Sequence, residues 1–288
     1  MKKIILALAC LLLLTNAYAQ KNNSLLWKIS GNGLKAPSYL FGTYHLAGKN
    51  LVDSLPEIKT CFNTCKTVVG EVIVDSTITT KLMSYMMAPD SATLDKIFSP
   101  ADYALIDTCI NQLMDADMAG FNHFKPTAIA IILTVIIAPN TTSPANPALD
   151  AYFQQEGKRR NDEVIGLETA QQQAEMLFNT PMADQKKQLL AFVKKKDHLK
   201  AEAIKGYKMY LNQDLDGIAK SFDDNEDFTP GQTERLLKER NLNWMTRLPT
   251  IMQKQPTFIA VGAGHLVGQY GLINQLRLKG YTVKPVKI

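Results

Sequence analysis

Cysteine is scarce in this chain, with four among 288 residues. Beyond Cys10, the others are Cys61, Cys65 and Cys109. They do not form the two closely spaced thiol pairs of a structural zinc site, so a cysteine-based metal centre is set aside. An odd number of thiols leaves room for one disulfide, and the sequence does not fix its pairing among the three. An excess of either charge is lacking as well. Lys and Arg number 32 against 27 Asp and Glu, and the two signs are interleaved, which gives no reason to expect a nucleic-acid partner. Long apolar runs are absent from the body of the chain. The stretch from Ala128 to Ala138 sits between Pro126 and Pro139, well short of the ~20 residues a membrane span needs, and reads as a buried helix. No low-complexity tract or linker divides the chain.

What is present begins with a leader. Met1-Lys2-Lys3 is followed by an uncharged run from Ile4 to Leu14, and Ala17-Tyr18-Ala19 precedes Gln20. Basic start, apolar core and an A-x-A site in that order describe a cleavable secretory signal, residues 1–19, with cleavage near Ala19/Gln20. Cys10 as a lipoprotein cysteine would cut the apolar run short, so ordinary cleavage is the better reading. The expected location is periplasmic or secreted. Loss of Lys2 and Lys3 lowers the formal charge from +5 to +3, and residues 20–288 are long enough to bury a sizeable core as one domain.

Leu25 to Ser30 and Ser38 to Gly42 are two short β-rich runs separated by Gly31-Asn32-Gly33 and Pro37, a hairpin signal. Helical spacing from Leu55 to Lys66 leads into a β-branched run, Thr67 to Val74, typical of a buried strand. From about residue 80 to 153 the pattern is helical, broken at Pro89, Pro100, Pro126 and the loop from Pro139 to Pro147, which predicts a helical lobe. Val164 to Glu168 reads as a strand, and Thr169 is placed to cap a helix running to Phe178. Charged helices are expected over Lys186 to Tyr210 and Thr233 to Thr246. Thr257 to Val261 is a buried strand, followed by a helix over about Gln269 to Leu278 and an edge strand from Thr282 to Val286. The rhythm is that of an α/β fold.

One element occurs twice. Tyr39-Leu40-Phe41-Gly42-Thr43-Tyr44-His45-Leu46-Ala47-Gly48 and Ile259-Ala260-Val261-Gly262-Ala263-Gly264-His265-Leu266-Val267-Gly268 share the order of three mostly apolar residues, Gly, two variable residues, His, Leu, one variable residue and Gly. Ligands of α/β sheets bind beyond the carboxyl ends of strands, and Gly there permits a tight turn close to the ligand. Two of the chain's four histidines occupy this context. Both could simply pack a loop, but a matched pair of imidazoles is also the beginning of a metal site that needs one more protein ligand and an open position. Glu71 is the candidate for that ligand, since a carboxylate in an otherwise apolar strand needs a cation or donors. A salt bridge to an arginine would satisfy it too. Glu168 could act as general base for an activated water, or be a carboxylate favoured by the helix dipole. In Arg240-Asn241-x-x-Trp244, Arg240 could clamp a substrate carboxylate or stabilise an oxyanion, or lie on the helix surface with Trp244 in the core. His123 and His198 lack a matching context.

Taken together, these residues resemble the TraB/PrgY/GumN family, which includes the Tiki metalloproteases and is distantly similar to erythromycin esterase and ChaN-like proteins. The resemblance runs over Tyr39 to His45, Glu71, Gly166-Leu167-Glu168-Thr169, Arg240-Asn241-x-x-Trp244 and Val261 to Gly268. It implies an EreA/ChaN-like α/β core, with a central mixed sheet, flanking helices and a helical insertion. The implied site is carried by His45, Glu71 and His265, with Arg240 and Glu168 near it. The resulting expectation is a peptidase-like hydrolase holding one divalent metal, Zn, Mn or Co, and acting on a peptide or small-molecule substrate. Its rivals are a metal-free, histidine-based esterase-type hydrolase and a non-catalytic peptide- or haem-binding protein.

Overall fold

The structure is a computed structural model that describes residues 23–75, 77–223 and 231–288. The leader and Cys10 therefore lie outside the described residues. Six strands form one mixed sheet: β1 Leu26–Ser30, β2 Ser38–Thr43, β3 Thr67–Val72, β4 Glu163–Glu168, β5 Thr257–Gly262 and β6 Thr282–Pro285, in the spatial order β4-β3-β5-β2-β1-β6. The four strands from β4 to β2 are parallel to their neighbours, while β1 pairs antiparallel with both β2 and β6.

The hairpin expected at the start is there, and its turn has a physical cause. Gly31, Asn32 and Gly33 all take positive φ, at 79°, 46° and 80°, a region open to Gly and tolerated by Asn. Central strands β3 and β5 are buried along almost their whole length, as befits parallel strands covered on both faces. On one face the rings of Phe41, Phe62, Phe153 and Phe258 meet, with Phe153 and Phe258 centroids 4.8 Å apart.

Several element boundaries differ from the sequence expectation. The helix expected over 55–66 is Pro56–Asn63, starting at a proline that suits a first turn, and a short helix outside the expectation, Asn50–Ser54, precedes it, with Leu55 leaving the helical region between them at φ -127° and ψ 73°. β3 ends at Val72, and the Val74 amide is taken by the Gln154 side chain instead. Thr169 does cap its helix: its side chain accepts from the Gln172 amide and Gln172 returns a bond to the Thr169 amide. The segment expected as a helix over 233–246 is a π-turn, Glu234–Glu239, running into a short α-helix, Arg240–Trp244. The last helix is shorter, Leu272–Leu278.

The helical lobe is also drawn differently. Its core joins Leu94, Ile106, Ile110, Ile129 and Leu133 to Leu189, Phe192 and Val193 of the 30-residue helix Met182–Leu211. Helix Leu149–Arg159 leaves it and packs against β3 and β4, with Phe153 in the main core. Ala128 to Ile137 belongs to helix Pro126–Ile137, which buries Ala128, Ile129, Ala130, Leu133 and Ile137. Among the described residues no helix is long and apolar enough to cross a membrane. Cys61, Cys65 and Cys109 are free and buried, the first two in the sheet core and the third in the lobe. The disulfide that an odd thiol count left open is thus not formed among them.

Candidate functional site

The sheet order decides which side chains meet. β2 and β5 are parallel neighbours in a register that sets Thr43 against Gly262, so the two G-x-x-H turns leave the same edge side by side. β3 lies on the other side of β5 and brings Glu71 to that edge, and β4 next to it brings Glu168. His45 Nε2 stands 3.9 Å from Glu71 Oε1, and His265 Nε2 stands 3.7 Å from the same oxygen. Gly262 makes room for this. A Cβ on it would sit 3.2 Å from Glu71 Oε1 and 3.5 Å from His45 Nε2.

The tautomer of His265 follows from its neighbours. Asn241 Nδ2 donates to the carbonyls of His265 and Tyr270, at 3.1 and 2.9 Å, which leaves Oδ1 as the acceptor facing His265 Nδ1 at 2.8 Å. Nδ1 therefore carries the proton, and Nε2 accepts from Arg240 Nη1 at 2.9 Å. Burial is the main cause of a pKa pushed down to about 3, with Arg240 and His45 adding to it against the pull of Glu71. His265 is a neutral ring, 5 % exposed. His45 differs in each respect. It is 64 % exposed, and its Nδ1 donates to Asp150 Oδ2 at 2.9 Å. The Asp150 carboxylate lifts its pKa above the ordinary imidazole value, an effect that solvent screens.

Arg240 ties the acids together. Nε donates to Glu168 Oε1 at 2.8 Å, Nη2 to Glu71 Oε2 at 2.6 Å and Glu168 Oε2 at 3.0 Å, and Nη1 to His265 and to the Leu236 carbonyl at 3.1 Å. All five N–H donors are used, so none is left to clamp a substrate carboxylate or an oxyanion. Glu168, 7 % exposed, accepts from Arg240 on both oxygens and from Trp244 Nε1 at 2.9 Å, and has no oxygen turned to the histidines as a base would need. Trp244 also stacks on His265, with centroids 4.3 Å apart. Burial works against ionising Glu71, but its charged neighbours and the Gly262 amide, which donates to Oε1 at 2.8 Å, hold its pKa down at about 2. Because His265 is uncharged near neutral pH, His45, Arg240 and that amide carry this stabilisation there.

Asp150 was missed by sequence reasoning, and Asn241 was noticed without a role. Asp150 lies in the first turn of helix Leu149–Arg159, where an acid is ordinary, so nothing in the sequence singles it out. His123 meets Asp90 at a separate, exposed place. Among the described residues no three His, Cys, Asp or Glu side chains stand close enough to hold a metal ion as they are.

A mixed sheet whose adjacent parallel strands end in twin G-x-x-H turns, with a buried carboxylate facing both rings, defines a class of α/β proteins with a histidine–glutamate site at the sheet edge. The chain belongs to the TraB/PrgY/gumN family, whose model matches residues 25–285. It is 24 % identical to metalloprotease TIKI2 of Danio rerio, over 91 % of this chain and 61 % of that protein. It is 23 % identical to metalloprotease TIKI1 of the same fish, over 94 % and 64 %, and 21 % identical to human metalloprotease TIKI1, over 91 % and 62 %. The chain thus spans about three fifths of the length of these curated relatives. No solved structure matches it.

Proposed function

We propose that the chain is an exported, metal-dependent, peptidase-like hydrolase in which His45, Glu71 and His265 hold one divalent ion. The observation that carries this reading is the approach of two imidazole Nε2 atoms to one carboxylate oxygen, each ring tethered through Nδ1. Outer tethering of this kind fixes the tautomer of metal-ligating histidines. The donor set fits zinc, manganese or cobalt and does not choose among them. Ligation by His265 requires Arg240 Nη1 to release it and keep the Leu236 carbonyl. Such an ion, when bound, polarises a substrate carbonyl and brings the pKa of a water to ~7.

The chain's own residues do the rest. His45 is the ring a substrate reaches, because it alone of the pair is exposed. Glu71 faces both rings and is assigned the proton of the attacking water. Arg240 and Glu168 position Glu71 rather than touch substrate, since their donors and acceptors are already engaged. The name metalloprotease, carried by the relatives, supports a peptide or small amide as substrate. The leader sequence supports a periplasmic or secreted location.

Elemental analysis of the purified protein, with and without His265→Ala, tests the reading. About one equivalent of metal in the parent, lost in the variant, is expected when one of three protein ligands goes, together with chelator-sensitive cleavage of a peptide library. Metal content unchanged by the substitution would sink it. The His45–Asp150 pair favours one other reading, metal-free histidine-based hydrolysis of the esterase type, for which activity should survive the chelator.

A further inference from the structure

The two histidines occupy the same motif, yet in each case the group bonded to ring Nδ1 comes from outside the G-x-x-H loop. We infer that Asp150 is a positioning residue that, together with Thr43, sets which ring nitrogen of His45 faces Glu71, as Asn241 does for His265. The inference rests on the reading that both rings work through Nε2.

Asp150 is brought to His45 by a stitched segment. The Thr141 amide donates to the Leu46 carbonyl at 2.9 Å, Lys49 to Pro147 at 2.9 Å and Leu149 to Ala47 at 3.0 Å. These bonds bind the chain before helix Leu149–Arg159 along the first G-x-x-H loop. Both oxygens of Asp150 then have assigned donors: Oδ2 takes His45 Nδ1 at 2.9 Å and Oδ1 takes the Thr43 hydroxyl at 2.8 Å. A carboxylate only accepts, so Nδ1 must carry the proton, and in the neutral ring the lone pair falls on Nε2, towards Glu71.

The difference between the two tethers has a cause. Position 241 faces two carbonyl oxygens as well as the ring, and only an amide can donate to both while accepting from Nδ1. Position 150 faces a hydroxyl and a ring N–H, two donors, which a carboxylate satisfies in full. The exposed ring is thereby backed by an anion, which raises its strength as a donor, and the buried ring by a neutral group.

Asp150→Leu keeps the bulk and removes the acceptor, so nothing holds the proton on His45 Nδ1 and it is free to move to Nε2. Nitrogen-15 spectra of histidine-labelled, metal-free protein at neutral pH should show Nδ1 of His45 protonated in the parent and largely unprotonated in D150L. Calorimetric titration with zinc should show affinity falling about 10- to 100-fold. Asp150→Asn, whose amide oxygen still accepts from Nδ1 while its nitrogen donates to the Thr43 hydroxyl, should keep the Nδ1 proton and recover part of that loss, which a merely structural role would not do. Nδ1 protonated in D150L as in the parent, zinc affinity of D150L within about twofold of the parent, or D150N no better than D150L would each overturn the inference. If the parent binds no zinc, the metallohydrolase reading fails, and the protonation of Nδ1 in D150L still decides the role of Asp150.

Discussion

Acidification should loosen the metal-free protein before its carboxylates begin to titrate, and His265 is the reason. The ring is 5 % exposed and its pKa is held down to about 3 against 6.5 for the free side chain, chiefly by burial. A histidine depressed on folding is protonated more readily in the unfolded chain. Stability is therefore fully present above about 6.5 and is lost as pH falls from there towards 3. At about 1.4 kcal/mol per unit, and with the unfolded ring only half protonated at 6.5, the descent to 4.5 costs about 2 kcal/mol, a sizeable share of the 5–15 kcal/mol typical of a folded domain. That window is dominated by His265. Glu71, shifted from 4.5 to about 2, adds most of its own loss below it. His45, shifted the other way, is already protonated in the folded state and gains its proton in the unfolded chain over the upper part of the window, which offsets a small part of the loss. Urea unfolding followed by tryptophan fluorescence at pH 6.5, 5.5 and 4.5 measures the slope, with Trp244 stacked on the ring as a local reporter. His265→Gln should be less stable at pH 7 but nearly flat across the window. A flat parent, or a variant with the parent's slope, would refute the assignment of His265 as a buried neutral ring.

Arg240→Met should cost about 3–5 kcal/mol, because Glu71 and Glu168, 6 % and 7 % exposed, lose their shared cation. Differential scanning calorimetry should find a fall in Tm on the order of 10 °C. Gly264→Ala puts a methyl carbon 2.8 Å from Phe222 Cζ, and overpacking of this kind costs about 1–3 kcal/mol in denaturant titrations; a neutral result would mean that the Phe222 ring yields freely. Cys61, Cys65 and Cys109 are buried, and burial pushes the Cys65 thiol up to about 12. All three should react slowly with an aromatic disulfide reagent in native buffer and quickly in denaturant, and fast native labelling of any of them would contradict the packing.

The strands were legible because β-branched and aromatic runs such as Thr67 to Val72 and Thr257 to Val261 fit only a buried sheet, and the repeated G-x-x-H marked where two of them end. Neighbourhood was not legible. Nothing in the spacing of His45 and His265 says that β5 lies beside β2, with β3 on its far side. Arg240 was visible as an unusual residue, but the five acceptors that exhaust it come from positions 71, 168, 236 and 265, and only the folded chain assembles them. That is why a clamp for substrate was a fair expectation and a fully engaged tie is what stands there. Asp150 was hidden for a different reason, since an acid in a first helical turn needs no function to explain it. The thiol count invited a disulfide, but Cys109 is in the lobe core while Cys61 and Cys65 are in the sheet core, a separation that composition cannot convey.

The order of strands along the sheet edge also sets the order of the chemistry. Passing from β4 through β3 and β5 to β2, the strand ends present Glu168, Glu71, His265 and His45, a run from buried anion to exposed ring. Arg240 spans the first three and stops short of the fourth, its guanidinium balancing one of the two carboxylates it touches. What remains, by formal charge, is one uncompensated carboxylate facing two imidazole nitrogens. A low-dielectric edge seldom tolerates such a remainder without a donor or a cation, and the Gly262 amide and the facing His45 meet it here. The side of Glu71 Oε1 that faces the two rings is therefore where added positive charge would gain most, and Arg240, bonded to the other oxygen of the same carboxylate, is the group that keeps it in place to receive it.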